Sequence, residues 1–272
     1  MDAVRPNARA GCVKAAGLGC GVVLLVLAVV AVAMVGLTYQ HYGRDIAVQE
    51  EVERRHGART AYQVPADGSL PADRLGCFLA VRRALMPRCE EITGITAAFR
   101  NVADEARGEQ PAPAALFGRV AGAARHMPTM GLVFGEYVTQ RNRELLERGM
   151  GLGEYSWIYV TAYFACLGQR PQRVLEGEDR PSLFEDRVFV ESAGVIARHV
   201  AAAGLTAGPW VDELARMRRD RGRIPFEDGL PPELAASLES FRNELGRSAC
   251  PAAAELDLTI TVPRSTFGYD HR

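Results

Sequence analysis

An unbroken apolar run from Leu18 to Leu37 constrains this chain more than any other feature. No Asp, Glu, Lys, Arg or His interrupts the stretch from Ala15 to Thr38. At about 1.5 Å rise per residue a helix of this length covers roughly 30 Å, the hydrocarbon thickness of a bilayer. The run predicts a transmembrane helix, and so decides which side of a membrane the remaining residues meet.

Flanking charges give the orientation. Arg5, Arg9 and Lys14 precede the span, against the single acid Asp2. After Thr38, Arg44 is accompanied by Asp45, Glu50, Glu51 and Glu53. Lys and Arg are retained on the cytoplasmic side, which places the N-terminus in and the larger part of the chain out. Tyr39 and Tyr42 fall at headgroup depth, where aromatic side chains are favoured. A cleaved signal peptide has a shorter apolar core of about 7–15 residues. Cleavage after Ala31-Val32-Ala33 also leaves Met34-Val35-Gly36-Leu37 as an apolar stub, so an anchor is the better reading. In a lipoprotein signal the apolar segment precedes the cysteine, whereas here it follows Cys20. The GxxxG spacing of Gly17 and Gly21 lies at the end of the span, where it reads as ordinary membrane-helix glycine.

The chain beyond the anchor suits one large domain or two small ones. The full sequence, with 48% hydrophobic and 24% charged residues, has the composition of an ordinary globular protein. The net charge of the whole is −1, and the N-terminal tail carries +2, leaving −3 outside. No basic face for nucleic acid is indicated. Lys14 is the only lysine, and the Arg, Ala and Gly bias reads as a GC-rich bacterial genome. The expected partners are the lipid bilayer and another envelope protein, with no nucleic acid.

Helical periodicity dominates after residue 71. Leu75, Phe78, Leu79 and Leu85, then Ile92, Ile95 and Phe99, predict a helix over 72–100 containing Pro87. A second is expected over 114–148 with a kink at Pro128. A third, over 154–168, is apolar on nearly all sides and reads as the buried centre. Further helices are expected over 187–203, 210–219 and 231–247, the last with Pro231-Pro232 in its first turn. Leu256 to Val262 alternates strictly and is the best strand candidate. The expected fold is mainly α: a single N-terminal transmembrane helix and a bundle of about five to six helices. The boundaries are a cytoplasmic tail over 1–16, the anchor over 17–39, and stalk and linker over 40–71. The helical ectodomain follows over 72–250, and an extended or disordered tail over 251–272.

Cys77, Cys89, Cys166 and Cys250 lie outside the anchor, where an oxidising compartment admits two disulfides in three connectivities. On one straight helix Cys77 and Cys89 stand about 18 Å apart and cannot bond each other, although a break at Pro87 reopens that pairing. Four small buried thiols are the equal alternative. No CxxC, HExxH or GxSxG occurs, so neither a metal nor a cofactor is expected. Glu191-Ser192 shares only those two residues with the lytic transglycosylases. The Gly-Leu-Met-Gln segment of those enzymes is absent, and the resemblance is rejected. Gly149-x-Gly151-x-Gly153 follows a helix rather than a strand, which makes it helix punctuation and not a phosphate cradle.

Glu154, Tyr155, Tyr159 and Tyr163 form the densest polar-aromatic group, the tyrosines sharing one helix stripe. Glu154 or Glu136 could act as a general acid, but Glu154 also suits the start of a helix as a charge complement. Arg82 falls on an apolar face between Phe78 and Leu85, where it either needs a buried carboxylate or snorkels to an exposed edge. Glu136 or Glu154 is the expected partner. Tyr155, Tyr159 and Arg82 are thus candidate binding residues, with a structural role preferred. The leading functional expectation is a tethered envelope protein for binding or assembly. An envelope hydrolase using Glu154 or Glu136 is the alternative.

Overall fold

The computed structural model describes residues 47–107, 132–169 and 183–258, excluding the side chains of 98–107, 183–186 and Glu255. The predicted span over 17–39 and the kink at Pro128 lie outside the described residues, as do residues 170–182 and the chain after Leu258. Among the described residues the protein is mainly helical, with no strand and no helix long and apolar enough to cross a membrane.

The helices in chain order are α1 (47–56), α2 (Ala72–Arg107), α3 (132–147), α4 (Leu152–Tyr159), α5 (Leu183–Ala202), α6 (Pro209–Arg219), α7 (Pro232–Glu239), α8 (Arg242–Ser248) and α9 (Ala254–Leu258). A 3-10 turn over Arg59–Ala61 follows α1, and another over Pro251–Ala253 precedes α9. The described part of the segment expected as stalk and linker, residues 47–71, is packed: Val52, Val64 and Leu70 are buried in the common core. The helix expected over 231–247 is two helices, broken at Ser240-Phe241, residues of lower helix propensity than their neighbours.

α2 passes through Pro87 without ending. A proline removes the bond to the carbonyl four residues earlier, here at exposed Arg83, where water can satisfy it. The Ala84 carbonyl beside it accepts a 2.8 Å hydrogen bond from Gln140 Nε2 of α3. Because α2 is continuous, Cys77 and Cys89 stay apart. Cys89 instead bonds Cys250, with 6.1 Å between their Cα atoms and a sequence separation of 161. Cys77 and Cys166 are free thiols.

The central element is α4, which continues as a π-helical turn over Val160–Cys166. Every residue from Leu152 to Phe164 is buried except partly exposed Glu154, as its all-round apolar sequence predicts. The wider π winding nearly restores a face every four residues, so Tyr155, Tyr159 and Tyr163 remain one stripe. Their successive ring centroids are 6.2 and 4.6 Å apart.

The glycine run before α4 does two separate jobs. Gly149 ends α3 at φ +61°, a left-handed conformation that favours glycine. Gly153 lies against the 3-10 turn: a Cβ there would stand 2.2 Å from the Arg59 carbonyl oxygen and 2.7 Å from Tyr62 Cβ.

Candidate functional site: a buried arginine-tyrosine-carboxylate centre

Arg82, on the core face of α2, is fully buried, and so is its partner. The partner is Asp257 of α9, not Glu136 or Glu154: Arg82 Nη1 stands 2.7 Å from Asp257 Oδ2. The strand expected from Leu256 is helical as far as Leu258, and that winding carries Asp257 inward rather than onto a polar strand face.

Two further donors converge on the same carboxylate. The Tyr155 hydroxyl donates to Oδ1 at 2.7 Å. The Tyr137 hydroxyl, from α3, lies 2.9 Å from both oxygens and shares its single proton between them. Arg82 Nη1 also approaches each hydroxyl oxygen at 3.0 Å. The rest of the guanidinium points to the end of α8, where Nε and Nη2 donate to the Ser248 carbonyl at 3.3 and 3.2 Å. Tyr163 meets the same residue, with its hydroxyl 2.8 Å from Ser248 Oγ. The rings of Tyr159 and Tyr163 lie 5.1 and 5.4 Å from the guanidinium carbon, at cation–π distance.

Burial alone would pull the Arg82 guanidinium down, but the Asp257 carboxylate and the surrounding hydroxyl groups hold it well above its ordinary range. The Tyr137 and Tyr155 phenols are pushed up, first by burial, and so stay protonated donors. The centre is an ion pair whose remaining valences are filled by neutral hydroxyls, as a charge pair removed from water requires.

A second buried arginine fastens the same segment. Arg141 Nη1 donates to the Leu256 and Asp257 carbonyls at 2.7 and 2.8 Å, while Nε and Nη2 hold Asn142 Oδ1. The Cys89–Cys250 disulfide pins the segment's other end to α2.

The two candidate acids lie elsewhere. Glu154, at the start of α4, is held by Arg74, with Nε on Oε1 at 2.6 Å and Nη2 on Oε2 at 2.5 Å. Arg74 stands two turns before Arg82 on α2, which is why Glu154 meets it instead. Glu136 is half-exposed and pairs with Arg88 at 2.7 Å. Its neighbour Tyr137 turns inward, about 100° around the same helix. Tyr155 and Tyr159 both reach the buried centre, but Tyr159 supplies its ring face rather than a donor to Asp257.

Glu191 and Ser192 line a separate cavity of about 20 Å³ with Arg59, Ser156 and Trp157. Glu191 pairs with Arg59 at 2.7 Å, and the Ser192 hydroxyl donates to the Val188 carbonyl at 2.9 Å. Burial pulls Arg59 down to about 10 despite that partner. The space admits about one water molecule and no organic substrate. Among the described residues no group of three His, Cys, Asp or Glu is placed to hold a metal ion.

Comparison with known proteins finds no match among family models, curated proteins or solved structures.

Asp257, Tyr137, Arg141 and Ser248 escaped the sequence reading. Tyr137 had a signal, since it shares a face with Val133 and Gln140 toward α2. Asp257 had none beyond being an acid between two leucines, and the strand reading turned it outward.

Proposed function

We propose that this is a single-pass bacterial inner-membrane protein whose helical domain lies outside the cytoplasm and acts by binding or assembly, without catalysis of its own. Three features support that reading. The run from Leu18 to Leu37 has the length and flanking charge of an anchor with its N-terminus inside. A disulfide joining residues as distant as Cys89 and Cys250 suits an oxidising compartment. The observation that carries the non-catalytic part is the Arg74–Glu154 pair: Arg74 donates to each Glu154 oxygen, a tie between α2 and α4 that gives this carboxylate a structural use without catalysis.

The alternative, an envelope hydrolase using Glu154 or Glu136, would draw on Glu136, whose carboxylate is half-exposed. Both readings are open to test in the intact protein. Protease added to spheroplasts should degrade the domain from Arg44 onward while cytoplasmic controls survive; protection of the domain would reverse the orientation. Purified protein should leave cell-wall fragments uncut. Cleavage that Glu154→Gln or Glu136→Gln abolishes would establish the hydrolase instead.

A further inference from the structure

The three donors around Asp257 come from α2, α3 and α4, whereas the carboxylate comes from the other end of the described chain, on a helix of five residues. One guanidinium and two phenol hydroxyls focus on one carboxyl group, inside a wall that includes the rings of Tyr159, Tyr163 and Phe78. A lone buried ion pair needs fewer donors, and packed apolar residues often serve stability as well. Contacts that do not use the Asp257 side chain also hold the site together. Arg82 keeps the Ser248 carbonyl, and Tyr163 keeps Ser248. The segment keeps its disulfide and the Arg141 bonds to its main-chain carbonyls, none of which uses the Asp257 side chain.

From this we infer that Arg82, Tyr137 and Tyr155 form a carboxylate-binding site that the chain fills with its own Asp257. Removing that side chain leaves a carboxyl-sized space facing an uncompensated cation. A small external carboxylate restores both the charge and an acceptor for each of the two tyrosine hydroxyls. The inference is independent of where the protein resides and of whether it is an enzyme.

Chemical rescue tests it in the full-length protein. Asp257→Ala should melt several degrees below the parent protein. Formate, titrated at constant ionic strength against chloride, should raise its melting temperature saturably, because a ligand that binds only the folded state stabilises it by mass action. The parent protein, with its site filled, should respond to formate no more than to chloride. Neither should Asp257→Ala combined with Arg82→Met, which lacks the cation. Formate acting no better than chloride on Asp257→Ala would overturn the inference, as would an equal response in the double variant. Should Asp257→Ala fail to fold in buffer, it is refolded with formate present. A cooperative melt that depends on formate supports the site, and its absence counts against it.

Discussion

Arg82 is where one atom's environment most affects the whole protein. With both partners at 0% exposure, removing either leaves a charge with no water to turn to. Arg82→Leu should therefore cost about 3–5 kcal/mol in a urea melt. Arg82→Met combined with Asp257→Leu should recover a substantial part, since the penalty of a bare charge goes with the second partner. A single variant as stable as the parent would show that the pair is not sealed from solvent. His199 makes a separate residue-scale prediction. It packs 4.2 Å from the Trp210 ring centroid, and burial lowers its pKa below the ordinary 6.5, opposed by a hydrogen bond with the Val64 backbone and by nearby Asp67. The folded state thus favours neutral imidazole. Its contribution is complete above the unfolded value of 6.5 and is lost as the pH falls below that. Denaturation midpoints of His199→Gln should fall less over that interval than those of the parent; identical slopes would remove the assignment.

At the scale of the element, the central helix was legible because its composition leaves no polar face, and it is buried all round. The alternation at the C-terminus misled, because a period of two cannot register the tertiary contacts that wind Ala254–Leu258 into a helix under Arg141. Arg82's need for a carboxylate was likewise readable from its helix face. Its partner was not, since local spacing says nothing of a residue 175 positions away. Glycine substitutions separate a close-packed helical position from an open one. Gly153→Ala forces a side chain into the Arg59 backbone and should lower stability by at least about 1–3 kcal/mol. Gly76→Ala, inside α2 with nothing within 4 Å of the added methyl group, should raise it by about 0.4–1 kcal/mol. Thermal melts of the two should move in opposite directions; a neutral Gly153→Ala would mean that α4 and the Arg59–Ala61 turn are not in contact.

Across the whole molecule, three long-range ties bring the C-terminal segment back to the first long helix: the disulfide, the Arg82–Asp257 pair and the Arg141 bonds through α3. The loop-entropy relation gives about 5 kcal/mol as the scale for a disulfide closing so long a loop. Cys89→Ala/Cys250→Ala should accordingly lose several kcal/mol in urea melts, whereas Cys77→Ala should lose far less. The same disulfide joins fold to location, because a cytoplasmic domain would keep those thiols reduced. Peptide mapping of non-reduced, alkylated protein isolated from its native cells is the most direct test. The account predicts that the peptide carrying Cys89 is linked to the one carrying Cys250, while Cys77 and Cys166 are alkylated. Alkylation of all four before any reduction would contradict both the closed fold and the extracytoplasmic placement.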